Sequence, residues 1–404
     1  MYFILRENKS VTKTLQSKLS ILSSSSSQMA CQMSETGDRR AGEGEKIQEE
    51  EREKREKRER RAAMVDEGMV GNTMCRQLAL PDEEDQALAL ATSSSDVFAA
   101  TTELGWLCLY DLRTSSRESA VLEQRLSSSK EAASLAFDCK VENTLYVALA
   151  SEVHHVDLRY LDSVTTDVVS TSAEDINQVV VNSTGEYLAS ADDTGEVSVV
   201  SLRDRKVFKQ LRRGHSSICS CVAFRPRQPW ELFSGGLDCL VLLWDFSRGK
   251  KKLELAADQT NSEGQVFNPP MIHSVAVPEK RELANHVAAA RGDASIVIYD
   301  ISKSAVKNTL TLNSLSSGTE GHTASVGHIC FSKFTDERHL VSGGNDGNII
   351  LWSWNQPEDE AGSLVHWSQK HGKKINWTAT TERSSENVLI ADTSNNITIY
   401  SCSG

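Results

Sequence analysis

Two stretches of this sequence are near-copies of each other, and their shared spacing constrains the fold more than any other feature. Both read Gly-His, a short apolar strand, Ser-Gly-Gly-x-Asp, a second apolar strand and Trp, at residues 214–244 and 321–352. In both copies Asp follows Ser by four positions and Trp follows Asp by six. A unit of this length cannot bury its apolar face alone, so neighbouring units must stack. The repeat therefore predicts an array of small β-sheets.

The sequence contains five more divergent copies of this unit. Each is recognised by the apolar strand that ends at the position of the Trp. The seven strands end at Tyr110, Val156, Val200, Trp244, Tyr299, Trp352 and Tyr400. Successive ends are 44 to 55 residues apart, against about 40–45 residues for a four-stranded propeller blade. Polar insertions lengthen the later intervals, and loops tolerate added length at small entropic cost; they lie at 258–264, 313–319 and 356–362.

The seven units predict an all-β fold, a seven-bladed β-propeller over residues 73–404. Their strands are apolar on both faces, as expected for sheets that are covered on both sides, and closure into a ring removes long exposed edges. The last unit ends near residue 404 and lacks an outermost strand. We expect Thr73–Leu80 to supply that strand, so that deleting 73–80 abolishes stability while deleting 1–68 does not.

Residues 1–70 differ from the rest of the chain in composition. Ser23–Ser27 is of low complexity, and acidic and basic residues interleave from Glu43 to Arg61 with few apolar ones. Without an apolar face such a segment cannot pack on a core, although its charges also suit a solvated helix. We therefore predict a charged N-terminal extension over 1–70 that is disordered or partly helical, and that acts as a spacer or as a docking tail.

Charge and cysteine content exclude several classes of protein. The net charge of −12 argues against a nucleic-acid partner, whose binding surface is usually basic. The nine cysteines include no metal-ligand spacing, which predicts reduced thiols, no metal and no cofactor. No apolar run is long enough for a signal peptide or a membrane span. We expect a monomer in the cytoplasm, the nucleus or both, without membrane association.

Each near-copy contains the residue types of a serine hydrolase triad. The sets are His215, Ser234, Asp238 and Trp244, and His322, Ser342, Asp346 and Trp352. A hydrolase needs an exposed serine and an oxyanion hole, no Gly-x-Ser-x-Gly elbow is present, and one active site needs no duplicate. We interpret both sets as structural networks in which Asp accepts from His, His contacts Ser, and Ser accepts from the Trp indole. No catalytic residue and no enzyme activity are predicted.

This arrangement resembles that of WD-repeat (WD40) β-propellers, and the resemblance extends over residues 73–404. The other units depart from the motif. Thr194, Ser394 and Leu104 stand at the structural Asp position of units three, seven and one, and His371-Gly372 in unit seven is reversed. Unit five keeps Asp293 but lacks Gly-His. The resemblance thus implies a full network in units four and six only, with apolar packing holding the others.

Arginines follow the motif strands of three consecutive units and are the best local signal of function. Units one and two end in Asp111-Leu-Arg113 and Asp157-Leu-Arg159, and unit three continues with Arg203 but without Asp. In several WD-repeat proteins a Trp-Asp-x-Arg ending presents Arg to the adaptor of cullin-4 ubiquitin ligases. The resemblance thus implies a non-enzymatic scaffold that is a substrate receptor of such a ligase, with the adaptor and a degradation substrate as partners. The alternative for the arginines is a local Asp–Arg pair that stabilises a turn.

A second class of function is a scaffold of another multiprotein complex, in chromatin or in trafficking, without ligase association. Such a scaffold would use the central channel opening or the top face of the propeller, where we expect a strand-connecting loop that contains Arg225, Arg227 and Trp230. These side chains suit an acidic peptide, or they are simply solvated. The partners captured from cells discriminate the two classes, because only the ligase receptor brings cullin-4 and its adaptor.

Overall fold

The fold is seen in a computed structural model, and every described element except one turn of 3-10 helix is a β-strand. The chain divides into two units, residues 1–60 and 61–404. The described residues all belong to the second, and they are 69–70, 73–94, 96–113, 120–141, 143–159, 166–256, 268–303, 305–310, 321–355, 364–382 and 386–402. The predicted extension up to residue 68 and the three polar insertions lie outside them.

Two strands precede the blades, and the first three blades have four strands each. The leading pair is β1 (Met69–Val70) and β2 (Thr73–Ala79). Blade one contains β3 (Ala87–Thr92), β4 (Val97–Thr102), β5 (Trp106–Asp111) and β6 (Leu122–Arg125). Blade two contains β7 (Ala132–Phe137), β8 (Thr144–Leu149), β9 (Glu152–Asp157) and β10 (Thr166–Thr171). Blade three contains β11 (Ile176–Val181), β12 (Tyr187–Asp192), β13 (Val197–Ser201) and β14 (Lys206–Leu211).

The remaining four blades repeat the pattern. Blade four contains β15 (Cys219–Phe224), β16 (Glu231–Gly236), β17 (Leu240–Asp245) and β18 (Lys250–Ala256). Blade five contains β19 (Ile272–Ala276), β20 (His286–Arg291), β21 (Ile296–Asp300) and β22 (Ala305–Leu310). Blade six contains β23 (Val326–Phe331), a 3-10 turn (Lys333–Thr335), β24 (Leu340–Gly344), β25 (Asn348–Trp352) and β26 (Val365–Lys370). Blade seven contains β27 (Ile375–Thr380), β28 (Asn387–Asp392) and β29 (Asn396–Ser401).

The strands of every blade pair antiparallel with their chain neighbours, which confirms the seven-bladed propeller. The seven motif strands identified in the sequence are each the third strand of a blade. They are β5, β9, β13, β17, β21, β25 and β29. Blade seven takes its fourth strand from the start of the described chain, since β2 pairs antiparallel with β29. The clasp predicted for 73–80 is thus confirmed, and its Leu78 and Leu80 are buried between blades seven and one.

Each innermost strand has a bulge near its start, and in blades three, four and seven the bulged side chain bonds to the next blade. The second residue of the strand has no partner in the ladder, as at Ser220 between the pairs Cys219–Gly236 and Cys221–Gly235. Such a bulge turns its side chain away from the sheet. Ser220 Oγ then donates to the carbonyl of Ile272 in blade five at 2.6 Å, and Asn376 Nδ2 donates to that of Ala87 in blade one at 3.0 Å.

The residue after the bulge accepts a hydrogen bond from the next blade in several places. The Val222 N–H donates to Gln178 Oε1 at 2.8 Å, and the Thr378 N–H donates to His328 Nδ1 at 3.2 Å. Burial lowers the pKa of His328 to about 3, so its ring is neutral and Nδ1 is free to accept. Polar groups near the axis are therefore paired across blades, while apolar clusters fill the rest of each interface.

Candidate functional site

The four motif residues of blade four meet in one chain of hydrogen bonds. His215 Nδ1 lies 2.9 Å from Asp238 Oδ1, and His215 Nε2 lies 2.8 Å from Ser234 Oγ. The Trp244 indole N–H donates to the same Ser234 Oγ at 2.8 Å. With the Nδ1 proton donated to Asp238, Nε2 accepts from the serine hydroxyl, so every polar atom in the chain has a partner.

Blade six contains a matching set of contacts. His322 Nδ1 lies 3.1 Å from Asp346 Oδ1, His322 Nε2 lies 2.7 Å from Ser342 Oγ, and Trp352 donates to Ser342 at 2.8 Å. Burial alone would raise the pKa of Asp346, but the hydrogen bond and charge of His322 hold it well below its usual range. The aspartate is therefore ionised throughout the ordinary pH range.

These networks are closed to solvent, which decides what chemistry they can perform. Ser234 and Ser342 are fully buried, and the side chains of His215 and His322 are 0% exposed. The glycine pairs make room for the rings, since a Cβ on Gly236 would lie 2.5 Å from His215 Nδ1. Each serine hydroxyl already bonds to the histidine ring and accepts from the tryptophan indole, and no substrate can reach it. Neither serine can therefore act as a nucleophile. The geometry suits a link between the segment that precedes the first strand of a blade, the turn after its second strand, and the second and third strands themselves.

Blade seven forms a related pair that the motif did not indicate. His371 Nε2 lies 2.5 Å from Asp392 Oδ2, and His371 Nδ1 lies 2.8 Å from the Tyr400 hydroxyl. Burial alone would raise the pKa of Asp392, but the hydrogen bonds and charge of its neighbours, His371 first among them, lower the pKa by more. The pKa of Asp392 therefore lies below its usual value. The expectation that blade seven relies on apolar packing is therefore wrong. Ser394 occupies the motif position, but the carboxylate comes from two residues earlier in the chain.

The aspartate–arginine turns of blades one and two are exposed ion pairs with the same geometry. Arg113 Nε and Nη2 donate to Asp111 at 2.9 and 2.7 Å. Arg159 Nε and Nη2 donate to Asp157 at 2.9 and 2.5 Å. The arginine side chains are 36% and 65% exposed. The hydrogen bond to Arg159 also lowers the pKa of Asp157. Each guanidinium is thus held in one orientation at the surface.

Both turns lie on one face of the propeller, called here the lower face. In each blade it carries the turn between the first and second strands and the turn between the third and fourth. The two turns are bonded to each other, as by the Leu112 N–H to the Asp96 carbonyl at 3.0 Å and the Phe246 N–H to the Trp230 carbonyl at 2.9 Å. Arg203 belongs to the same face of blade three and is exposed. There Ser201 Oγ bonds Asp204 instead, at 2.9 Å.

The loop that contains Arg225, Arg227 and Trp230 joins the first and second strands of blade four, so it lies on the lower face and not on the top face as expected. Its three side chains have different surroundings. Arg225 is only 11% exposed; it pairs with Glu231 at 2.6 Å and donates to Asn285 Oδ1 of blade five at 2.8 Å. It is therefore a link between blades rather than a reader of peptides, which corrects that part of the expectation. Arg227 is exposed, and Trp230 is 41% exposed within a group of aromatic rings.

The central channel opens on the opposite face into a cavity of about 400 Å³. Bulged residues of the innermost strands line it, with Glu131, His273 and Lys374 as titratable groups. Burial, followed by the charge of Lys374, lowers the pKa of His273. Burial and neighbouring carboxylates raise the pKa of Glu131. Within the described ranges no three His, Cys, Asp or Glu side chains are close enough to hold a metal ion.

No described segment forms a helix of the length and hydropathy that crossing a membrane requires. The eight cysteines in the described part of the chain are all free thiols. Burial raises the pKa of Cys221 to about 12, which keeps this thiol protonated and unreactive.

Comparison with known proteins agrees with this architecture. The sequence model of the WD domain, G-beta repeat, matches residues 206–245 and 313–353. WD repeat-containing protein 53 homolog of Dictyostelium discoideum is 26% identical over 261 residues, which cover 57% of this chain and 68% of that protein. The runs at 186–193, 214–226, 234–238, 371–377 and 387–394 predict a likeness to WD repeat-containing protein 53, and the match to its homolog confirms this prediction.

Two plant proteins are similar over shorter shares of their own length. Protein SUPPRESSOR OF PHYA-105 1 of Arabidopsis thaliana is 26% identical over 238 residues, 57% of this chain and 21% of that protein. Autophagy-related protein 16 of Arabidopsis thaliana is 29% identical over 138 residues, 34% of this chain and 22% of that protein. This chain therefore spans about a fifth of the length of each.

Proposed function

Since this chain is a WD40-repeat β-propeller, a fold that generally binds other proteins, we propose that it is the substrate receptor of a cullin-4 type ubiquitin ligase. In this role the lower face of blades one to three binds the ligase adaptor, and another surface binds the protein to be degraded. The observation that carries the proposal is the pair of identical Asp–Arg turns on adjacent blades.

The geometry of these turns is suited to recognition. A guanidinium held by its own carboxylate loses little side-chain entropy on binding, because it is already in one orientation. Arginine is enriched among the residues that dominate the energy of protein interfaces. Arg159 remains 65% exposed after pairing, so most of its surface is available to a partner.

Purified adaptor and affinity capture from cells, followed by mass spectrometry, test the proposal. We expect the wild-type chain to capture the adaptor together with cullin-4, and the Arg113→Ala/Arg159→Ala double variant to capture about ten-fold less or none. Arg248→Ala is the matched control: it removes an arginine that is 78% exposed in the corresponding turn of blade four and 3.6 Å from Asp245.

Two results would contradict parts of the proposal. A wild-type chain that never captures the adaptor would end the ligase assignment, and partners from a complex without cullin would favour the other scaffold class. Capture that is equal for the wild type and the double variant would remove only the role of the two arginines.

A further inference from the structure

A group of aromatic rings on the lower face, between blades three and four, has no role in the features described above. Tyr187, Phe208 and Trp230, called here the aromatic patch, have ring centroids 5.2 to 6.1 Å apart. Phe246 lies buried beneath them, 5.4 Å from Tyr187 and 5.6 Å from Trp230. The patch is thus anchored to the core while its outer rings reach solvent.

The exposure of this patch is unusual for the chain. Phe208 and Trp230 are 40% and 41% exposed, and they are the only exposed aromatic side chains among the described residues. The strand register explains Phe208: the β13–β14 ladder pairs Val200 with Val207 and Val199 with Lys209, so Phe208 is a bulged residue without a partner. Bulges re-aim side chains, and this one brings Phe208 over Trp230 of the next blade.

Basic side chains surround the patch although the whole chain carries a net charge of −12. Residues 203–209 contain four basic and one acidic residue, and residues 246–252 contain four basic and none acidic. Four of these basic side chains pair with carboxylates: Arg205 with Asp167, Arg248 with Asp245, Lys251 with Glu254 and Lys252 with Glu231. The two segments meet, because a Cβ at Gly249 would lie 3.2 Å from Lys209 Cδ. Lys206 and Lys250 are exposed. Neither these two nor Lys209 forms an ion pair with another described residue. The acidic neighbours of Tyr187 are Glu186 and Asp204.

A cavity of about 360 Å³ lies beside the patch, among the turns between the first and second strands. Phe224, Pro229 and Val181 give it apolar walls, and the ring of Phe224 packs edge-on against Phe246 at 5.7 Å. Phe246 therefore packs both beneath the aromatic patch and against a wall of the neighbouring cavity, so the lower face offers apolar groups of both at this surface.

We propose that this surface binds an acidic peptide segment of a partner protein that carries an apolar anchor residue. The anchor packs on Phe208 and Trp230 or enters the cavity, and the peptide carboxylates meet Lys206, Lys209 and Lys250. Aromatic anchors with a polar border are the usual composition of strong interface sites.

The test uses the full-length chain and fluorescence anisotropy with a labelled peptide of alternating Glu and Asp around one central Trp. We expect binding that weakens about ten-fold or more with Phe208→Ala or Trp230→Ala, and similarly when Ala replaces the Trp of the peptide. Lys206→Glu/Lys209→Glu, which leaves the rings intact, should weaken binding and flatten its salt dependence. This charge variant keeps the test valid if an aromatic variant unfolds.

Matched controls lie elsewhere on the propeller. Val168→Ala removes an exposed apolar side chain of blade two, and Lys303→Glu reverses an exposed charge of blade five; both should bind like the wild type. The double variant Arg113→Ala/Arg159→Ala should also bind the peptide like the wild type. That result would show that the peptide does not use the arginines proposed to bind the adaptor. The proposal is overturned if the peptides with Trp and Ala bind equally, or if the patch variants bind like the wild type. A preference for a single-stranded oligonucleotide, or self-association lost in Trp230→Ala without peptide binding, overturns it too.

Discussion

Blades four and two both pair an aspartate with a basic side chain, but in opposite surroundings. In blade four Asp238 and His215 are 5% and 0% exposed and bond further to Ser234 and Trp244. In blade two Asp157 holds Arg159 at the lower face, where the arginine is 65% exposed. A buried pair that loses one partner leaves a desolvated polar group behind, whereas water replaces the partner of an exposed one. The first arrangement therefore stabilises the blade, and the second leaves a basic group available for binding.

The largest effect should come from removing the strand that closes the ring. Deleting residues 73–80 removes β2, the strand that pairs with β29, and with it the buried side chains of Leu78 and Leu80. The burial of each leucine stabilises the fold by about 1.5–3 kcal/mol. We expect the melting temperature to fall by on the order of 10 °C or the chain to remain unfolded. Deleting residues 1–68 is the control. Equal melting temperatures for the two deletions would show that the clasp does not hold the ring.

The next largest effect should separate the aspartate of a buried pair from the aspartate of a surface pair. Asp238→Ala leaves His215 and the Ser216 N–H, which donates to Asp238 at 2.9 Å, without their acceptor. We expect the free energy of unfolding to fall by about 2–4 kcal/mol. Asp157→Ala is the matched change in a surface pair, in which the partner Arg159 is 65% exposed although Asp157 itself is 13% exposed. It should cost less than about 1 kcal/mol. Urea denaturation of both variants measures the difference, and similar losses would contradict the comparison.

A smaller effect should appear on acidification. The folded pKa of Asp346 lies below the unfolded value of about 3.9. Its stabilising contribution is therefore fully present above that pH and is lost as the pH falls through the folded pKa. We expect the free energy of unfolding of the wild type to decrease below about pH 4, and that of Asp346→Asn to decrease less steeply. Parallel curves would show that this carboxylate does not contribute.

The sequence was enough to predict the seven blades and the clasp, because strand period and apolar content are local properties. It was also enough to group the residues of blades four and six, since two copies share one spacing. It missed His371 and Asp392, because the histidine precedes its glycine and the carboxylate has moved by two residues. The aromatic patch comes from separate strands and turns, around residues 187, 208 and 230, so no motif could have indicated it. The hydrogen bonds of Arg225 to blade five likewise depend on folding.

The smallest effect on stability is expected at the exposed arginines. Arg113→Ala and Arg159→Ala each remove only a surface pair, so the free energy of unfolding should change by less than about 1 kcal/mol. Thermal melts beside the Arg248→Ala control check this. A loss as large as that of Asp238→Ala would mean that the Asp–Arg turns serve the fold rather than a partner.

If the buried pairs maintain the propeller and the Asp–Arg pairs of the lower face bind the partner, the two roles can be separated in one titration. The purified cullin-4 adaptor is titrated into the wild type and into Arg113→Ala/Arg159→Ala, each confirmed as folded by its melt. We expect the double variant to melt like the wild type and to bind the adaptor about ten-fold more weakly or not at all. Unchanged affinity in a folded double variant, or no affinity in the wild type, would contradict this expectation.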